Sequence, residues 1–215
     1  MNPKLFAIAV LALLLSACAT QAVRQPAPPV DVAAAEARQA ERENALYDAN
    51  RWGFVGRIAV SNGRQGGNGR IEWVNDDEFL TVDVSAPITR QTWRLTAGEN
   101  DSACIEGLEG GRRCGGDAAG LLRETTGWEI PFRGAYYWLR ALRIPHEPPT
   151  GMAVEPATNL RYDERLRLVH LEQGGWAIDY QWPDRAATTP ELPSRIDAVK
   201  GQAKIKLLVE QWVLR

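Results

Sequence analysis

The stretch Gly174-Gly175-Trp176-Ala177-Ile178-Asp179-Tyr180-Gln181-Trp182 decides how the rest of the chain is read. Large apolar residues at 176, 178, 180 and 182 alternate with Ala177, Asp179 and Gln181, and a glycine pair stands before them. A period of two puts one set of side chains on a buried face and the other toward water, which describes a half-buried antiparallel strand entered from a tight turn. The same alternation continues on both sides. Leu166 and Leu168 lie among arginines before it, Ile196 follows Pro190 and Pro193, and Ile205, Leu207 and Val209 alternate with Lys204, Lys206, Leu208 and Glu210 toward Trp212.

Toward the N-terminus the pattern repeats. Ile58 and Val60, a glycine-rich turn expected over Gly63 to Gly69, and then Ile71 and Trp73 predict a hairpin. Leu80, Val82 and Val84 follow a polar turn at Asn75 to Glu78, and Trp93 and Leu95 follow Pro87-Ile88-Thr89. Pro87 has no N–H to give a ladder and marks an edge or an exposed turn. The glycines at 63 to 69 lack a Gly-x₄-Gly-Lys-[Ser/Thr] pattern and a following helix, so a phosphate loop is not expected.

Helical periods interrupt the strands. Asp31 to Asn50 is rich in Ala, Glu and Arg, has neither Gly nor Pro, and begins with a capping Asp. Asp117 to Thr126 predicts a short helix ended by Gly127, and Ala135 to Leu142 a second, apolar on most sides. At least eight antiparallel strands with helices set among them make a mainly β, α+β fold, a barrel or a sandwich.

Net charge is −2, with 45% hydrophobic and 24% charged residues. Such values describe an ordinary globular domain and give no reason to expect nucleic acid, and no cluster of Lys and Arg is expected to form a polybasic membrane patch. The eight tryptophans are spread along the folded part and suit either an aromatic-rich core or a partly hollow one. Of the two histidines, His146 lies in a proline-rich loop with Pro145, Pro148, Pro149 and Gly151, and His170 at a strand end. Neither has an evident partner set for metal or nucleophilic chemistry. Neither catalysis nor a cofactor is expected.

The first residues carry an address. Lys4, an apolar run from Leu5 and small residues at its end read as a secretory signal too short to span a bilayer. Leu15-Ser16-Ala17-Cys18 resembles the bacterial lipobox, which implies cleavage after residue 17 and acylation of Cys18. Several acyl chains, at about 0.8 kcal/mol per buried methylene, hold a protein on a membrane lastingly. Ala19, where inner-membrane retention uses Asp, implies the outer membrane. The expected layout is a signal peptide over 1–17, a proline-rich tether over 18–30, and one domain over 31–215. With Cys18 assigned to lipid, Cys104 and Cys114 remain, flanking a glycine-rich turn. In an oxidising compartment they are a candidate disulfide stapling two neighbouring strands. No Cys-x₂-Cys metal spacing is present.

Taken together, these residues resemble the LolB family. The resemblance runs from about Trp52 to Leu214. It rests on Trp-x₃-Gly-Arg-x-Ala at 52 to 59, Gly-Arg-Ile-x-Trp at 69 to 73, Pro87-Ile88, Gly127-Trp-Glu-Ile-Pro131 followed by Trp138-Leu139, Gly175-Trp176 to Tyr180, and Lys204-Ile-Lys-Leu207 to Trp212. It implies an unclosed antiparallel β-barrel enclosing an apolar cavity, with helices set against it and Trp73, Leu80, Val82, Trp93, Trp138, Trp176 and Ile178 as candidate lining. It also implies a monomer that takes acylated lipoproteins from the periplasmic carrier LolA and inserts them into the inner leaflet of the outer membrane, with Pro87, Ile88 and Thr89 as the insertion loop. Ile88 and Thr89 stand where the family has Leu and Gly. The Cys104/Cys114 pair is no hallmark of the family. The other readings are a scaffold lipoprotein of an outer-membrane assembly complex without a lipid cavity and, third, an enzyme acting on lipid or peptidoglycan. A cavity, a packed core or convergent carboxylates distinguish the three.

Overall fold

A computed structural model describes residues 30–86, 91–98, 102–146 and 154–214 of the 215-residue chain. Cys18, the signal, the tether up to residue 29, the turn at Pro87, Ile88 and Thr89, and the proline-rich loop around Pro148 lie outside the described residues.

Eleven strands form one antiparallel sheet: β1 (Arg51–Ser61), β2 (Gly66–Asp76), β3 (Phe79–Ala86), β4 (Gln91–Ala97), β5 (Ala103–Glu106), β6 (Arg113–Gly115), β7 (Thr158–Tyr162), β8 (Leu168–Gln173), β9 (Trp176–Gln181), β10 (Arg195–Lys200) and β11 (Ala203–Leu214). Their order is β6-β5-β4-β3-β2-β1-β11-β10-β9-β8-β7. The sheet is therefore two runs of neighbouring hairpins joined where β1 meets β11, and its edge strands, β6 and β7, stay unpaired with each other among the described residues. It is an unclosed barrel wall, covered on its concave side by α1 (Val32–Leu46), α2 (Ala118–Thr126) and α3 (Phe132–Trp138).

The alternation seen in the sequence is the alternation of burial. Trp176, Ile178 and Tyr180 are buried, while Asp179 and Gln181 are exposed. Ile58 and Val60 on β1, Ile71 and Trp73 on β2, Val82 and Val84 on β3, and Trp93 and Leu95 on β4 continue the inner face. Asp31 and Asp117 cap α1 and α2 through their carboxylates, accepting from the amides of Ala34 and Gly120.

Several expectations are corrected. The turn after β1 is only Asn62 to Gln65, because Ser61 pairs with Gly66 and the following glycines belong to β2. Gly67 is small there because the Trp128 ring occupies the place of a side chain: an added Cβ would stand 2.5 Å from Cζ2. Helix α3 begins three residues earlier than its apolar pattern predicts and ends at Trp138, since Ala141 adopts φ 54° and turns the chain. Strand β7 was not predicted: it is short, and its pairing with β8 is interrupted by register shifts around Asn159, which has φ 53°. Leu166 lies in a turn with φ 60° ahead of β8. The sequence shows no polybasic run, yet the sheet creates one by laying β1–β2 beside β10–β11, so that cations from both hairpins share an outer face.

Candidate functional site: the concave face and its helical cover

The concave face is aromatic at its centre. Trp73 stacks with Phe54, at 6.2 Å between centroids, and with Phe132 of α3, at 5.7 Å. Trp52 stacks on Trp73 at 6.2 Å and leans against Tyr136 of α3 at 5.8 Å, and Trp212 closes on Phe54 at 5.3 Å. Nearer the hairpin tips, Trp93 meets Trp128 edge to face. Offset and edge contacts of this kind contribute roughly 0.5–1.5 kcal/mol a pair beyond area burial.

Of the residues predicted to line the interior, Trp73, Val82, Trp93, Trp138, Trp176 and Ile178 are buried in one hydrophobic cluster, and Leu80 packs against it half-buried. The structure brings them onto one wall: Trp73 pairs with Val82 and Val82 with Leu95, while Trp176 and Ile178 belong to β9 on the far half. Trp138, the last residue of α3, donates its indole N–H to Gln173 Oε1 at 3.2 Å. Gln173 in turn holds Ile144 through N–H to Oε1 at 2.8 Å and Nε2 to the Ile144 carbonyl at 2.9 Å. Among the inner-face residues left out of the predicted lining are Trp52, Phe54, Phe132, Tyr136, Trp212 and Arg140. For Trp52 and Phe54 the parity of Ile58 and Val60 was the available signal; Arg140 had none.

Arg140 is fully buried. Its Nη1 donates to the carbonyls of Leu46 and Ala49 at 2.8 and 3.0 Å, its Nε to that of Tyr136 at 3.2 Å, and its guanidinium lies over the rings of Trp52 and Tyr136 at 4.7 and 4.5 Å. Burial lowers its pKa, and the π faces with the carbonyls ending α1 supply the negative potential that keeps a cation there. Arg42 stacks on Trp182 at 4.9 Å and donates to the carbonyls of Arg140 and Glu191; burial pushes it down to about 10, against the pull of Glu191.

The cover is held differently from the wall. Four residues of α1 are buried: Ala35, Gln39, Glu43 and Leu46, half of them polar. Gln39 donates to the Ala141 carbonyl at 2.9 Å. Arg143 grips Glu43 with Nε and Nη2 at 2.8 and 2.7 Å and Glu36 with Nη1 at 2.9 Å, and Tyr162 donates to Glu36 at 2.6 Å. Arg143 is raised by its hydrogen bond with Glu43, and burial raises the phenols of Tyr47, Tyr162 and Tyr180. Trp52 Nε1, Trp73 Nε1, Arg140 Nη2 and the Tyr180 hydroxyl are buried without a hydrogen-bond partner among the described residues. Such donors are uncommon in a sealed core.

Elsewhere the chemistry is structural. Cys104 and Cys114 face each other across β5 and β6 with Cα atoms 4.1 Å apart, joined by a disulfide. His170, to which no partner was assigned from sequence, meets Asp179 at 2.8 Å through Nδ1, because the two are opposite residues of β8 and β9; Arg161 holds the same carboxylate at 3.1 Å. Among the described residues no group of three or more His, Cys, Asp or Glu is arranged to hold a metal ion, and no helix is long and apolar enough to cross a membrane.

These features define an open antiparallel half-barrel whose apolar concave face lies under helices. The LolA superfamily protein NE2245 from Nitrosomonas europaea has this fold, with a TM-score of 0.50 at 9% identity over 83% of this chain and 93% of that one. The family model for the outer membrane lipoprotein LolB matches residues 50–212. The outer-membrane lipoprotein LolB of Xanthomonas campestris pv. campestris (strain B100) is 45% identical over 182 residues, 83% of this chain and 80% of that one. The protein of the same name from Xylella fastidiosa (strain 9a5c) is 32% identical over 205 residues, 94% and 90% of the two chains. The chain belongs to the LolB family of outer-membrane lipoproteins.

Proposed function

We propose that this protein receives the acyl chains of other lipoproteins from a LolA-type periplasmic carrier, shelters them on its concave face and releases them into the inner leaflet of the outer membrane, without catalysing a reaction. The observation that carries the reading is the contrast between wall and cover. The wall is a hydrogen-bonded sheet with an aromatic inner face, whereas α1 is held over it largely by Arg143, Glu36, Glu43, Gln39 and Arg42. Polar ties of this sort exchange for water at a net cost of about 1 kcal/mol each when a helix lifts, so the cover yields before the wall does. Acyl chains entering there replace aromatic contacts with aliphatic ones and keep the apolar area buried. Ester carbonyls of an acylated cysteine supply the acceptors that Trp52 and Trp73 lack.

In this reading Cys18 is the lipid anchor, residues 18–30 are the tether, and one domain over 31–215 acts as a monomer. Pro87, Ile88 and Thr89 join the strand ends Ala86 and Gln91 and touch the bilayer first. The test is transfer of a labelled lipoprotein from the carrier to this protein and onward to liposomes. Ile88→Glu is expected to accept cargo normally and deliver none. Undiminished delivery refutes the role of the turn, and failure of the unaltered protein to take cargo refutes the acceptor reading.

A further inference from the structure

Residues 57–70 and 195–208 carry seven cations, Arg57, Arg64, Arg70, Arg195, Lys200, Lys204 and Lys206, against one acid, Asp197. That is a net of +6 in a chain whose total is −2, so the remainder carries −8. The two segments are the neighbouring halves of the β1–β2 and β10–β11 hairpins, and the β1–β11 seam lays them side by side.

Register turns this into a surface. Arg70, Arg57, Leu208 and Arg195 form one cross-strand row, and Asn68, Ala59, Lys206 and Asp197 the next; Gly66, Ser61, Lys204 and Val199 form a third. Arg57 and Arg70 stand directly opposite, which is unfavourable for like charges, and Glu210 reaches both at 2.7 and 3.2 Å. Asp197 pairs with Arg195, and Glu129 with Lys200. Arg64, Lys204 and Lys206 are exposed and have no carboxylate within ion-pair distance among the described residues. Leu208 and Val199 are exposed among the cations, at 45% and 40%, and the small Ala59 leaves a trough of about 570 Å³.

We propose that this outer face and its hairpin tips dock on anionic phospholipid headgroups and so fix how the protein sits on its membrane, an inference that rests on the membrane-facing role proposed above. Smeared charge with single aliphatic contacts fits a headgroup layer, which offers phosphates at no fixed spacing. A protein partner would be expected to seat an aromatic anchor, and these rows contain none. The tips also lie at the end of the sheet where Ala86 pairs with Gln91, so docking there brings the ends of β3 and β4 toward the bilayer.

The test uses the processed, acylated protein with an environment-sensitive dye on Gln202→Cys, reconstituted into phosphatidylcholine vesicles with or without phosphatidylglycerol. Each uncompensated cation contributes about a fivefold gain in partitioning onto an anionic surface, so R64Q/K204Q/K206Q lowers the ratio of docked to undocked protein about 100-fold on anionic vesicles at low salt. The same triple change leaves neutral vesicles unaffected, and R165Q/R185Q, at the other end of the sheet, changes neither. Equal docking on neutral and anionic vesicles overturns the proposal. So does weakened binding to an acidic carrier protein with lipid docking intact, which makes the face a protein interface. Cargo acceptance is followed in the same preparations: a protein that docks but takes no cargo keeps this surface and refutes the acceptor reading, and one that takes cargo but ignores lipid charge does the reverse.

Discussion

Replacing Arg143 by Met tests whether α1 is a polar-latched cover. The guanidinium makes two bonds to Glu43 and one to Glu36, and its loss leaves Glu43, 5% exposed, with neutral donors such as Gln39 and a backbone amide in place of a cation. Breaking a buried pair costs about 3–5 kcal/mol; Arg143 keeps a quarter of its side chain in water, which reduces the figure to about 2–3 kcal/mol. Because every bond lost joins α1 to the segment after α3, the cost falls on local opening. Amides of α1 should exchange with deuterium about 30- to 150-fold faster, while those of β1 and β11 keep their protection. Acceptance of acyl chains should speed up in parallel. Adding Glu43→Leu removes the stranded carboxylate and should restore most of the protection. Unchanged exchange in α1, or an equal loss throughout the sheet, would sink the idea of a separately hinged cover.

Two further outcomes are expected. Burial keeps the phenols of Tyr47, Tyr162 and Tyr180 protonated above the ordinary value of 10, whereas the unfolded chain releases those protons near pH 10. The stability they contribute is therefore complete below pH 10 and is lost as pH rises beyond it. Urea midpoints should fall there, and Tyr180→Phe should flatten that fall by about 1.4 kcal/mol per pH unit at little cost at neutral pH, since the hydroxyl has no partner among the described residues. Reduction of the Cys104–Cys114 bridge should destabilise the chain by about 2–3 kcal/mol, with exchange rising first in β5 and β6 and leaving β9 untouched.

How far the sequence reaches is set by the range of the interactions that fix each part. Alternation at 176–182 and 58–60 translated directly into strands because a sheet with one wet face imposes it locally. The caps at Asp31 and Asp117 were equally local. Strand β7, half-exposed at an edge, has only Leu160 and Tyr162 to alternate, too short a pattern to stand out, and α3 was misplaced because the turn at Ala141 is imposed by tertiary packing. The buried Arg140 was illegible for the same reason: its partners are carbonyls and rings from α1, β1 and α3, far apart in sequence. The basic face is the clearest case, since no window of sequence holds it and only the seam between first and last strands assembles it.

That seam also governs the order of assembly. Strand β1 pairs with β11 from Trp52 with Leu214 to Ser61 with Lys204, which is among the most distant pairing the chain allows. Until the final strand has emerged on the far side of the inner membrane, β1 is a bare edge with Trp52 and Phe54 uncovered. During that interval the chain carries one unpaired, aromatic border, the kind of edge that invites wrong pairing. Contacts that cover the aromatic interior in the finished protein are thus the last to form.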